Sequence, residues 1–176
     1  MMGQGSVVLA RTPSTLEAGI KSSYLFKFAP FVEWPVEAGG DAGRSFAICI
    51  SGTDPFGPVL DDVVRGQKFA GRAVTVRRLG TGGLNADCRI LFVGRPDEAG
   101  TDLLAQTSGK PVLTVSDQGA TPAGTMIEFM MQNGRVRFRI DEGSARASGL
   151  RISSKLLALA TSVDRKTGDL PAPRGK

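Results

Sequence analysis

The sequence predicts an α/β fold: a single-layer, mixed and mostly parallel sheet flanked by helices, with a C-terminal β-hairpin. Three observations carry this. ADCRILFVG (Ala86 to Gly94) is a short β-branched apolar run bounded by turn residues, the pattern of a strand covered on both faces. Two similar runs, FAICISG (Phe46 to Gly52) and PVLTVS (Pro111 to Ser116), lie on either side with helical patterns between them, which implies a layered structure. Finally, MIEFMMQNGRVRFRI (Met126 to Ile140) places Asn133-Gly134, the strongest two-residue hairpin signal, between two alternating runs.

Taken in order, residues 1 to 13 lack periodicity and read as disordered. A helix follows, with Leu16, Ile20, Tyr24, Phe28 and Phe31 at spacings of four, four, four and three, expected to share one buried face. Pro30 ends it near Ala29, because proline lacks the N–H and disfavours α geometry in the preceding residue. The loop VEAGGDAGR leads to the Cys49 strand, and GTDPFG (Gly52 to Gly57) turns that strand into a short helix, with Asp54 as cap and Pro55 in the first helical position. Ala73 to Leu79 alternates as the next strand, GTGG connects it to the Cys88 strand, and Pro96, Asp97 and Glu98 open a helix toward Gln106.

Pairing the hairpin outward from Asn133-Gly134 sets Ile127, Phe129, Met131, Val136, Phe138 and Ile140 on one face. The other face carries Glu128, Met130, Gln132, Arg135, Arg137 and Arg139, and is expected to meet water. The chain finishes with short helical patterns over Glu142 to Ser148 and Ile152 to Val163, the latter capped by Ser153. A polar, proline-containing tail over 164–176 reads as disordered, so 14–163 forms a single domain.

Composition excludes several functions. The 176 residues include no histidine, which removes Ser/His/Asp and Cys/His nucleophiles and His-containing zinc sites. Two cysteines alone make no structural zinc site, and neither metal nor cofactor is expected. The +5 net charge is scattered, with few aromatics among the basic residues, so nucleic acid is not indicated. No stretch reaches the roughly 18–20 apolar residues of a membrane span. Val7 to Ala10 is too short for the core of a secretion signal.

Candidate sites are few. Thr53 and Asp54 sit where α/β folds bind anions, yet both phosphate-loop motifs are absent. The period-two stripe Arg135, Arg137, Arg139 suits an acidic surface or a solvated face. Phe31, Glu33 and the lone Trp34, just past a helix end, suit an interface or ordinary packing. Cys49 and Cys88 lie in neighbouring strands, where a bridge and two buried thiols are equally acceptable. Apolar surface on the hairpin and the first helix's aromatic end suggests a homodimer.

YLFKFAPFVEWP (Tyr24 to Pro35), ICISGTDPFG (Ile48 to Gly57), CRILFVG, VLTVSD (Val112 to Asp117), MIEF with VRFRID, and GLRISSKLLALA (Gly149 to Ala160) resemble, in order and spacing, the YfiR family of bacterial periplasmic proteins. The resemblance runs from about Glu17 to Val163. It implies a non-catalytic repressor that binds the periplasmic domain of an inner-membrane diguanylate cyclase and lowers cyclic-di-GMP synthesis. It further implies sequestration by an outer-membrane lipoprotein, and a disulfide between Cys49 and Cys88. Departures include Arg89, where relatives usually carry histidine or another polar residue, and the lack of a second cysteine pair. The alternative is a periplasmic sensor of a small anionic or aromatic molecule, bound in a cleft near GTDPFG and the arginines Arg135, Arg137 and Arg139, and acting on another membrane signalling protein.

Overall fold

The computed structural model describes residues 14–36, 44–80, 82–94, 98–118 and 124–165. The expected disordered segment over 1–13, the loop over 37–43, the Pro96-Asp97 helix start and the tail beyond Arg165 lie outside them. The chain begins with α1 (Thr15–Phe28), capped by Ser14, whose Oγ accepts from the Glu17 N–H at 3.1 Å. A 3-10 turn (Ala29–Phe31) containing Pro30 ends it and gives way to β1 (Val32–Glu33). Then come β2 (Phe46–Ser51), α2 (Pro58–Val64), β3 (Lys68–Phe69), β4 (Arg72–Arg78), β5 (Cys88–Val93), α3 (Glu98–Thr107) and β6 (Leu113–Asp117). The hairpin is β7 (Ile127–Gln132) and β8 (Arg135–Asp141), followed by α4 (Glu142–Ala147), β9 (Arg151–Ile152), α5 (Ser154–Leu159) and β10 (Val163–Asp164).

Eight strands form one sheet in the order β10-β8-β7-β6-β5-β2-β4-β3, and β1 pairs with β9 separately. Only β3–β4 and β7–β8 pair antiparallel within the large sheet, so it is mixed and mostly parallel, as the covered apolar strands require. On one face α1 and α2 bury Leu25, Phe28, Leu60 and Val64 against Phe46, Ile48, Phe92, Phe129 and Phe138. On the reverse face, Leu103 and Leu104 of α3 cover Cys49, Cys88 and Leu91. The hairpin register coincides with the pairing predicted outward from Asn133-Gly134, both of which adopt positive φ.

Four expectations need correction. The first concerns α1: its buried residues are Glu17, Ala18, Lys21, Ser22, Leu25 and Phe28, while Leu16 and Ile20 are exposed. A strict four-residue spacing advances about 400° per step on a helix turning about 100° per residue, so twelve residues separate Leu16 from Phe28 by roughly 120°. The stripe spirals off the core. Second, α2 begins at Pro58 and not Pro55, because Gly57, at φ 51° and ψ −139°, breaks the helix until the next residue.

Third, the Ile152-to-Val163 helix stops at Leu159. Phe138 O takes the Thr161 N–H at 2.8 Å, and Ser162 O accepts from Ile140 N at 3.0 Å, which draws the chain into β10. Asp164 therefore belongs to the sheet, and Arg165 reaches Glu142 at 3.0 Å. Fourth, the outer face of the hairpin is wet only in part. Arg135 and Arg137 are exposed, but Glu128 at the other end is buried and ion-paired to Arg139.

Candidate functional site

Cys49 and Cys88 form a disulfide with a Cα–Cα distance of 5.8 Å. Ala47 pairs with Cys88 and Ile48 with Ile90, so Arg89 is an extra residue in β5 that turns Cys88 onto the α3 face with Cys49. Both cysteines are buried, at 0 % and 1 % exposure, and reach solvent only when the α3 layer opens.

The GTDPFG turn is built as structure. Asp54 Oδ1 accepts from the N–H groups of Phe56 at 2.8 Å and Gly57 at 3.2 Å, while Oδ2 takes Arg78 Nε at 2.7 Å. The same guanidinium bonds Gly57 O and both oxygens of Asp61, which stitches the turn to the first turn of α2. The Arg78 hydrogen bond holds the Asp61 carboxyl below its usual range, against a smaller opposing effect of burial. Carboxylate and guanidinium thus satisfy each other where a phosphate would have to displace them.

Thr53 closes the crevice further. The chain leaves β2 toward β4 on one side and returns to β5 on the other, the switch point at which open α/β sheets bind ligands. Here the Thr53 backbone lies on Gly94, whose N–H donates to Ser51 O at 2.8 Å. A Cβ at Gly94 would stand 2.7 Å from Thr53 N and 2.8 Å from its carbonyl carbon. Gly94→Ala is therefore expected to destabilise the fold by about 1–3 kcal/mol. The control Gly83→Ala, whose Cβ would meet only Gln106 Oε1 at 3.6 Å, should change stability little. Urea denaturation of both variants is the check, and equal midpoints would mean that the turn is not locked against β5.

The expected interface residues do not form one patch. Trp34 packs edge-on to Phe46 at 5.5 Å between ring centroids, and its Nε1–H donates to Ala29 O at 3.2 Å, so the half-buried indole belongs to the α1 side of the sheet. Phe31 is half-buried against the same cluster, and Glu33 beside it is exposed. Arg135, Arg137 and Arg139 alternate with Val136, Phe138 and Ile140, which face α1, and so project from the reverse face. Arg139 is committed to Glu128, leaving Arg135 and Arg137 as the outward charges.

A charged cluster that the sequence reading passed over lies between α1 and β6. Lys21 Nζ is 2.6 Å from Asp117 Oδ1 and 2.8 Å from Glu17 Oε1, with side-chain exposures of 5 % for Lys21, 25 % for Asp117 and 9 % for Glu17. Burial pushes the Asp117 carboxyl above its usual range; Lys21 opposes this, and the charges of Glu17 and Glu128 add to it. The signal available was the Glu17–Lys21 spacing of four, a helical ion-pair spacing. Among the described residues, no group of three or more histidine, cysteine, aspartate or glutamate side chains could hold a metal ion. Nor is any described helix long and apolar enough to cross a membrane.

No curated protein matches the chain at the sequence level. A family model described as YfiR/HmsC-like matches residues 18–161, which span α1 through α5 and include both cysteines. Over that span, the chain belongs to the YfiR/HmsC-like family.

Proposed function

We propose that the chain is a periplasmic regulatory protein that represses a membrane diguanylate cyclase by binding its periplasmic domain. Membership of the YfiR/HmsC-like family, whose members regulate and do not catalyse, is the observation that carries this reading. Two features support it. The loop best placed to bind a small anion is closed on itself through Asp54, Arg78 and Gly94. The buried disulfide suits an oxidising compartment. Arg135 and Arg137 are the residues we assign to an acidic partner surface, with Phe31, Glu33 and Trp34 forming a second contact on the opposite face. An outer-membrane lipoprotein that competes for the repressor, and a homodimeric state, belong to the same reading.

The test is binding of the purified chain to the periplasmic domain of a diguanylate cyclase encoded beside it. Binding is expected to weaken at least about tenfold in Arg135→Glu/Arg137→Glu, and to weaken with salt as surface ion pairs are screened. Absence of binding by the wild-type chain sinks the repressor reading. Undiminished binding by the double variant removes the arginines from the interface.

A further inference from the structure

Among the described residues, the spiral of α1 leaves an unpartnered groove on the outer side of the helix. Leu16 is 74 % exposed and Ile20 37 %, two of the four exposed large hydrophobic residues among those described. With Tyr24 they form one wall, and Val63 of α2 contributes to the other. The floor is small: Gly19 and Ser23 line it, and a Cβ at Gly19 would meet nothing within 4 Å. From Leu16 to Lys27 the groove runs about 16 Å, three helical turns. Lys27 closes one end as its only charge, exposed and without an ion-pair partner among the described residues.

We propose that this groove is the docking site for an amphipathic helix of the protein partner, whose apolar residues fill the hollow over Gly19 and Ser23 and whose acidic residue meets Lys27. The proposal deepens, and rests on, the reading that the chain acts by holding another protein. A wall of residues four apart beside a hollow at Gly19 and Ser23 matches knobs spaced three and four apart on a facing helix. A second copy suits the groove poorly. Antiparallel pairing of two α1 helices would set each Lys27 at the positive N-terminal end of the other helix, and parallel pairing would set Lys27 against Lys27. A lipid surface is also a poor match, because the apolar residues line a concave groove with a single cation.

The test uses the full chain and a stapled helical peptide of about three turns, with leucines at i, i+4 and i+7 and a glutamate one turn beyond. The expected result is amide shifts confined to α1 and Val63, binding at least about tenfold tighter than that of the twin peptide with lysine for glutamate, and reversal of that preference in Lys27→Glu. Ile20→Asp should abolish binding with an unchanged melting temperature. Shifts elsewhere, or equal binding of the twins, overturn the proposal. So does a wild-type dimer that Ile20→Asp dissociates in sedimentation, or phosphatidylglycerol-vesicle binding lost in the same variant. Cyclase-domain binding to wild type and Ile20→Asp alike would discard the groove and keep the repressor reading. Peptide binding without cyclase binding would do the reverse.

Discussion

Lys21→Met is expected to lower the unfolding free energy at neutral pH by about 3–5 kcal/mol, the cost of taking the Lys21 ammonium away from the buried Glu17 and half-buried Asp117 carboxylates. The methionine fills the volume of the aliphatic stem but leaves Glu17 and Asp117 facing each other behind α1, with the charge of Glu128 also acting on Asp117. For a chain of this length that corresponds to a melting temperature lower by roughly 6–20 °C. The deficit should shrink on acidification, since a protonated Asp117 no longer needs the ammonium. In the wild type the sign follows from the raised Asp117 carboxyl. Its contribution to stability is fully present below the unfolded value near 3.8 and is lost as pH rises through the higher folded value. Asp117→Asn should therefore flatten the fall of stability with rising pH across that interval. Denaturant melts of wild type and both variants from pH 3 to pH 8 test this, and a Lys21→Met deficit that does not change with pH would contradict it.

The second large effect is expected at the disulfide. The 39-residue separation gives a loop whose closure stabilises the fold by roughly 3–4 kcal/mol on the chain-entropy model. That is a large part of the roughly 5–15 kcal/mol of a typical domain. Cys49→Ser, Cys88→Ser and the double variant should melt well below oxidised wild type, close to one another and indifferent to reductant. Reduction of wild type should follow its opening rate, because both sulfurs lie beneath α3. Rapid reduction of the folded protein under native conditions would refute that burial-limited behaviour, and an unchanged melting temperature on reduction would refute the stabilisation.

These two sites differ in how far sequence could reveal them. The hairpin was readable to the residue because Asn133-Gly134 fixes its register, and alternation then places every side chain. The apolar strands were readable because burial on both faces leaves continuous runs. The face of α1 was not: Leu16, Ile20, Tyr24 and Phe28 look like one stripe until the helical advance is summed, and the charged Glu17–Lys21 pair sits on the side that meets β6. The strands β1, β9 and β10 have two residues each, too few for any period. Arg78 stands 24 positions from Asp54, and local patterning says nothing of a contact at that separation.

The two-residue strands have a further consequence, in colloidal behaviour. Both borders of the eight-stranded sheet end in such a strand: β3 carries Lys68, and β10 is followed by Arg165 tied to Glu142. Where β8 extends past β10, its exposed side chains are Arg135, Arg137 and Arg139. A growing aggregate needs a long, flat, neutral border on which to add strands, and neither margin supplies one. The sheet is wide and largely apolar, yet its margins give other copies little to build on, so concentrated folded protein should stay dispersed while partially unfolded protein should not.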